Sequence, residues 1–173
     1  MAKQNVRNIL FGAVFLVLAG WGPALGAEPM TRVNTYGDWS LLTDANDPHL
    51  FCFITSEPKT SEPPDAPREA PHAYISAWPK DGIRAEVSFL VGFRVKKNVQ
   101  GTATVSPSGF KLFGASDRAY VSDSTQELKL VEAMRKGNSM SIAIASDRGV
   151  NVVDTYSLNG IGQALQKLQE TCF

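Results

Sequence analysis

The chain has 173 residues, and its 17 Lys and Arg side chains balance its 17 Asp and Glu side chains, so its formal net charge is zero. Proteins that bind nucleic acid neutralise phosphates with an excess of basic side chains. This composition therefore argues against nucleic acid as a partner, and equally against a polybasic membrane-surface patch.

The N-terminal residues have the layout of a secretory signal peptide. Lys3 and Arg7 are basic, Ile9 to Ala19 form an apolar run, and Gly, Pro and Ala residues follow. The run is shorter than the roughly 20 apolar residues of a membrane-spanning helix. We therefore predict that residues 1–27 are a cleaved signal peptide. Residues 28–173 then form a single domain with a net charge of −2 and no transmembrane segment, located in the periplasm, outside the cell or on its surface.

The first part of the predicted domain indicates a loose lead-in followed by strands. Residues 28–35 show no pattern, whereas YGDWSLL alternates between apolar and polar residues as a half-buried strand does. In LFCFIT, Cys52 shares one face with Leu50 and Ile54, while Phe51 and Phe53 point to the other. Apolar residues on both faces are typical of an interior strand.

Residues 56–71 differ sharply in composition from the rest. They contain five prolines and four acidic residues but no large apolar side chain. Because proline lacks the amide hydrogen that a sheet requires, we predict an exposed loop here. A Pro-rich docking segment is the alternative interpretation.

Short alternating segments then continue to residue 157, interrupted by one helix. HAYISAW, AEVSFLVGF, GTATV, GFKLFG, RAYVS, SMSIAIAS and VNVVDTYSL are the strand candidates. For the helix, Ser124 and Glu127 fit a capping box, Leu128, Val131 and Met134 form an apolar stripe, and Gly137 ends it. This order predicts a mainly β fold, an antiparallel β-sandwich or barrel-like structure, with a mid-chain surface helix.

The C-terminal segment GIGQALQKLQETCF predicts a second, amphipathic helix. Ile161, Leu165, Leu168 and Cys172 recur at helical spacing, so the cysteine belongs to the buried stripe. Cys52 is the only other cysteine, and an exported chain with two thiols is expected to form one disulfide. A reactive thiol and a metal ligand are the alternatives. The surrounding sequence supports neither a reactive thiol nor a metal ligand, and a metal site needs several ligands.

No catalytic motif is recognisable in the sequence. His49 and His72 are the only histidines, and both lie in turn-like segments. A catalytic triad would have to use one of them, but no other residue points to either. We therefore expect no catalytic, cofactor or metal site.

Several stretches make this chain resemble the invasion-associated locus B family of small exported alphaproteobacterial proteins. They are YGDWSLL, FCFITSEPK, VSFLVGF, LVEAMRKGNSM, SDRG and DTYSLNGIGQALQKLQETC. Many family members carry additional cysteines, one of them shortly after the first tryptophan of the domain, where this chain has Thr43. Disulfide pairings should therefore not be transferred from those members.

The resemblance implies an exported envelope protein, and the family has no established catalytic residues. We expect a non-enzymatic protein that binds another protein or an envelope component and contributes to host-cell interaction. A periplasmic carrier of small molecules or lipids, using the space between its sheets, is the first alternative. A hydrolase that depends on His49 or His72 is the second.

Overall fold

The computed structural model describes residues 30–173, so the predicted signal peptide lies outside the described residues. These residues form one 11-stranded antiparallel sheet and two α-helices. The strands are β1 (Met30–Tyr36), β2 (Trp39–Asp44), β3 (Cys52–Ser56), β4 (Thr60–Glu62), β5 (His72–Trp78), β6 (Ile83–Leu90), β7 (Gln100–Val105), β8 (Ser108–Ala115), β9 (Arg118–Val121), β10 (Ser139–Ala145) and β11 (Asn151–Ser157). The helices are α1 (Ser124–Lys136) and α2 (Ile161–Cys172).

The strand order confirms the predicted mainly β, antiparallel class and shows that the strands belong to one sheet. Neighbouring strands follow the order β1-β2-β3-β5-β6-β9-β8-β7-β10-β11-β4, and the described part of the sheet does not close. The sheet nevertheless curves strongly, because strands far apart in this order touch. The rings of Phe89 on β6 and Tyr156 on β11 are 6.5 Å apart, and Trp39 Nε1 donates a hydrogen bond to the Ser157 carbonyl at 3.0 Å.

The core lies on the inner, concave face of this sheet. Alternate residues of nearly every strand point inward and are buried, as the period of two requires. The largest of them are Trp39, Leu41, Ile54, Ile75, Phe89, Leu112, Met140, Ile142 and Tyr156. The opposite residues of the same strands form the outer face, which neither helix covers.

Helix α2 packs on the inner face against β2, β3 and β5. Its buried residues are Ile161, Ala164, Leu165, Leu168 and Cys172, which confirms the predicted apolar stripe. A disulfide joins Cys172 to Cys52 on β3 across 120 residues, with 6.2 Å between the two Cα atoms. The predicted covalent link between the last helix and the early sheet is therefore present.

Helix α1 confirms the predicted surface helix but not its details. Its N-cap is Asp123, whose carboxylate accepts the amide hydrogen of Gln126 at 2.9 Å, so Ser124 is already helical. Glu127 does not complete a capping box, because its carboxylate accepts the amide hydrogen of Val87 on β6 at 2.7 Å. Leu128 is 65% exposed, which makes its assignment to the apolar stripe wrong. Leu130 occupies the buried position together with Val131 and Met134.

Two segments that the sequence predicted to be irregular contain strands. Most of residues 28–35 belongs to the edge strand β1, which is exposed up to Tyr36 and, among the described strands, pairs with β2 alone. The Pro-rich residues 56–71 include β4, which pairs with β11 at the other edge. Prolines flank β4 on both sides, in keeping with their tolerance near sheet edges.

A buried ion pair holds the rest of the Pro-rich segment against the sheet. The guanidinium of Arg68 donates to Asp154 on β11, to the hydroxyl of Ser61 at 2.8 Å and to the carbonyl of Val91 at 3.2 Å. The side chains of Arg68 and Asp154 are only 6% and 2% exposed. The Pro-rich segment is therefore a docked connection, and Asp154 is an inward residue of the sheet.

Candidate functional site

A groove lined by aromatic side chains crosses the outer face of the sheet. Strands β5, β6 and β9 and the start of β3 supply its lining, and its volume is about 450 Å³. Its aromatic residues are Phe51, Phe53, Tyr74, Trp78 and Tyr120. We call this feature the outer groove.

The period of two along each strand places these rings on the outer face. Phe53 alternates with the inward residues Cys52 and Ile54, and Tyr74 alternates with the buried Ala73 and Ile75. Strand pairing then brings residues from distant parts of the chain into one row. Thr55 lies opposite Tyr74, Tyr74 opposite Ser88, and Ser88 opposite Tyr120.

The rings hold one another in fixed positions. Phe51 stacks on Trp78 with ring centroids 4.1 Å apart, and Phe53 meets Tyr74 edge to face at 5.6 Å. Aromatic pairs of this kind contribute about 0.5–1.5 kcal/mol beyond the area they bury. The walls of the outer groove are therefore ordered before any ligand arrives.

The floor and rim of the outer groove are polar. Ser76 and Ser88 lie at the bottom, where they are only 6% and 4% exposed, and their small side chains create the depression between the larger rings. Glu86 and Arg118 are half-buried at the rim. The guanidinium of Arg118 lies 5.1 Å from the centre of the Tyr74 ring.

The two charged groups of the outer groove are not paired with each other. Within residues 30–173, neither the Glu86 carboxylate nor the Arg118 guanidinium makes a hydrogen bond or an ion pair with another side chain. Glu86 acts on its surroundings at longer range. Burial raises the pKa of the Glu127 carboxyl above its ordinary value, and repulsion from Glu86 raises it further.

A smaller polar pocket adjoins the outer groove on the same face. It lies between the end of β3, the start of β5 and Lys59, and its volume is about 330 Å³. The ammonium of Lys59 donates to Asp38, and this hydrogen bond holds the pKa of Asp38 below its ordinary value. The rings of His72 and Tyr74 are 5.8 Å apart, which places the pocket directly beside the groove.

Comparison with solved structures shows where this architecture recurs. The crystal structure of invasion associated protein B from Bartonella henselae superposes with a TM-score of 0.57, covering 79% of this chain and 95% of that chain at 19% identity. The fold is that of invasion associated protein B. No protein-family model matches the sequence, and no curated protein matches it either.

The similarity to invasion associated protein B confirms, at the level of the fold, the family resemblance predicted from the sequence. It covers nearly the whole of the Bartonella chain, so the shared part includes the main body of the sheet. At 19% identity, the comparison shows the fold and assigns no function to individual residues.

The two cysteines and two histidines that the sequence analysis considered as site residues do not line the outer groove. In this invasion associated protein B-like fold, Cys52 and Cys172 are fully buried and joined on the inner side of the sheet. A ring nitrogen of His49 lies 3.1 Å from the carbonyl oxygen of Cys172. His72 is the first residue of β5 and lines the adjoining polar pocket. The two histidines therefore contact different elements.

Searches for other kinds of site were confined to the described residues. Between Met30 and Phe173, no group of three or more His, Cys, Asp or Glu residues is arranged to hold a metal ion. No helix in that range is long and apolar enough to span a membrane.

Proposed function

We propose that this protein is an exported, non-enzymatic envelope protein that binds a protein or an envelope component through the outer groove. One observation carries the proposal. Five aromatic side chains are gathered on a face that the protein's own helices leave uncovered, around a floor of small polar residues. The five rings are half-buried but line an open concavity. Apolar patches that reach the surface mark interaction sites, and Tyr and Trp are among the residues most enriched at such sites.

Two further observations support the proposal. The N-terminal residues have the layout of a signal peptide, which would place the protein outside the cytoplasm. The fold is that of a protein whose name associates it with invasion. A contribution to host-cell interaction is therefore part of the proposal, with the outer groove as the contact surface.

The alternative of a carrier that uses its interior receives less support. A carrier needs space between its layers, but the inner side of the curved sheet is occupied by large buried side chains such as Trp39, Phe89 and Tyr156. Met134 of α1 and Leu168 of α2 are fully buried as well. The outer groove, by contrast, is an open concavity that a ligand can enter without rearranging this core.

Crosslinking in living cells tests the proposal. A photoreactive amino acid is placed at Phe53 in the outer groove or, as a control, at the exposed Leu128 of α1, and captured partners are compared. We expect a partner that is captured from position 53 but not from position 128, and that is lost in the Tyr120→Ala variant. Phe173→Ala is the matched control, because Phe173 is an exposed aromatic residue outside the groove. Groove-mediated binding would be refuted if the partner is captured equally with and without Tyr120→Ala, or equally from positions 53 and 128.

Two measurements test the remaining parts of the proposal. The mass of protein recovered from the periplasm should correspond to a chain that begins near residue 27 or 28, whereas a full-length mass would contradict signal cleavage. The hydrolase alternative predicts an activity that replacement of His49 or His72 abolishes. Turnover of an envelope substrate that survives controls for contaminants would show that the protein is an enzyme.

A further inference from the structure

We propose that the outer groove binds a neutral saccharide, which deepens the proposed function and rests on it. The groove combines two kinds of surface. It offers the faces and edges of aromatic rings, and it offers charged and hydroxyl groups that make no side-chain hydrogen bond or ion pair within residues 30–173. A sugar ring is the common ligand that presents both matching surfaces, with C–H groups on its faces and hydroxyls around its edge.

The aromatic residues provide the apolar half of this site. An aromatic ring carries negative charge density on its face, which attracts the weakly positive C–H groups of a pyranose. Phe51 stacks on Trp78, and Phe113, just outside the groove, stacks on Tyr120 at 5.5 Å. These neighbours fix the orientation of Trp78 and Tyr120, so a ligand ring can stack without the cost of ordering the protein rings.

The polar residues provide the other half. The carboxylate of Glu86 is an acceptor, the guanidinium of Arg118 is a donor, and the hydroxyls of Ser76 and Ser88 can act as either. Sugar hydroxyls donate and accept in the same way, so they can satisfy all four groups at once. One negative and one positive side chain leave the groove without net charge, which favours a neutral ligand over an ionic one.

Other ligand classes would leave one of these groups unpaired. A lipid tail would bury Glu86 and Arg118 without partners, and burying a polar group that lacks a hydrogen bond is costly. A segment of consecutive prolines fits aromatic grooves, but it has no backbone N–H to donate, which leaves Glu86 unsatisfied. A methylated ammonium group would seek a ring face beside Glu86, but Arg118 already lies over Tyr74 and would repel it.

The size and direction of the groove indicate a chain of sugar units. Its volume of about 450 Å³ falls within the range of small-molecule sites, roughly 300–1,000 Å³. The outer-face row from Tyr120 through Ser88 and Tyr74 to Thr55 continues toward the adjoining polar pocket. A ligand that extends along this row would contact both depressions, so we expect trisaccharides to bind more tightly than the corresponding monosaccharides.

Isothermal titration calorimetry tests the proposal on protein purified from cells that express the full chain. The probes are three neutral trisaccharides, namely maltotriose, cellotriose and chitotriose, which cover α-linked glucose, β-linked glucose and β-linked N-acetylglucosamine. We expect at least one to bind. Tyr120→Ala should weaken that binding at least about tenfold, as loss of an aromatic anchor does. Tyr120→Phe should retain binding, because it keeps the ring.

A second pair of variants separates a binding role from a folding role. Glu86→Gln is nearly isosteric and should weaken binding about fivefold, because a charge-assisted hydrogen bond becomes a neutral one. Phe173→Ala should bind as the parent does. Thermal unfolding of each variant shows whether it folds. If Tyr120→Ala does not fold, Glu86→Gln alone decides the role of the groove.

Two outcomes would overturn the proposal. One is that none of the three trisaccharides gives heat of binding at millimolar concentration. The other is that saccharide binding is the same in the parent, Tyr120→Ala and Glu86→Gln. A proline decapeptide serves as the competing probe. If it binds through Tyr120 while the trisaccharides do not, the saccharide proposal fails, but groove-mediated binding stands. If cellular crosslinking is also independent of Tyr120, the proposed function fails as well.

Discussion

The buried pair of Arg68 and Asp154 allows the sharpest prediction about stability. Both side chains are almost completely buried, and each Asp154 oxygen accepts a hydrogen from the Arg68 guanidinium. Replacing Arg68 with Met would leave the Asp154 carboxylate in the core with only the Ser61 hydroxyl, at 2.7 Å, as a partner. Removing one member of a buried ion pair typically costs about 3–5 kcal/mol. We expect Arg68→Met to lower the free energy of unfolding by that amount.

The double variant distinguishes an unpaired charge from lost packing. In Asp154→Leu the guanidinium of Arg68 is left without its carboxylate, so a similar loss is expected. In the double variant no buried charge remains, and replacing a buried pair by apolar residues is often nearly neutral. The double variant should therefore be more stable than either single variant. The coupling free energy between the two positions should be several kcal/mol.

Urea unfolding measures these differences, with a control from the same Pro-rich segment. Lys59 pairs with Asp38, but its side chain is 55% exposed, and exposed pairs contribute at most about 1 kcal/mol. Lys59→Met should therefore change stability little. If Arg68→Met costs no more than Lys59→Met, then the pair is solvated and does not hold the Pro-rich segment on the sheet.

Three further predictions concern the helices and the groove. Cys172→Ser removes a link that closes a loop of 120 residues, so it should cost up to about 5 kcal/mol, lower the melting temperature by roughly 10–20 °C and expose α2 to early proteolysis; equal protease resistance would contradict this. Burial raises the pKa of the Glu127 carboxyl in the folded protein above its ordinary value of 4.5. Ionisation of this carboxyl therefore lowers the free energy of unfolding as pH rises above about 4.5. Glu127→Gln keeps an acceptor for Val87, so its stability relative to the parent should rise in urea unfolding as pH increases above about 4.5; a difference that does not change with pH would refute the assignment. Ser88→Val should fill the floor of the groove and abolish ligand binding in calorimetry, without lowering the melting temperature, because valine favours strands; unchanged binding would show that the floor is not used.

The parts of the fold that the sequence predicts are those with strict hydrophobic periodicity. Ile161, Leu165, Leu168 and Cys172 repeat at helical spacing, and all are buried in α2. In β3, Cys52 alternates with outward residues, and this alternation brings its sulfur to the side of the sheet where α2 packs. Each of these predictions concerns the buried face of a single helix or strand. The spacing of apolar residues within that helix or strand is enough to identify this face.

Elements without such periodicity could not be identified in this way. All residues of β1 before Tyr36 are exposed, so its existence depends on backbone pairing with β2 and not on a buried face. In α1, Leu128 and Leu130 are both apolar, and the sequence alone does not tell which of them faces the sheet. The orientation is set by contacts from outside the helix, such as the hydrogen bond from Val87 to Glu127.

Only part of the outer groove could be predicted from the sequence. Alternation already places Phe51 and Phe53 opposite Cys52, and the same rule applied to β5 and β9 places Tyr74 and Tyr120 on the outer face. What the sequence does not contain is the strand order. Strand β6 pairs with β9 across the intervening β7 and β8, and only this long-range pairing brings Tyr120 to Ser88 and Tyr74.

The composition of the outer groove is difficult to explain by folding alone. The sheet already buries its inner face, and the solvent-facing side of an antiparallel sheet commonly carries polar side chains. Aromatic residues also favour strands, so the unusual feature is the concavity that they surround. Here rings stand beside two serines too small to fill the space between them. Glu86 and Arg118 line the same groove but form no ion pair with each other. We therefore infer that this face is organised for the ligand binding proposed above, because it leaves a concavity between its rings and keeps donors and acceptors at the rim of that concavity.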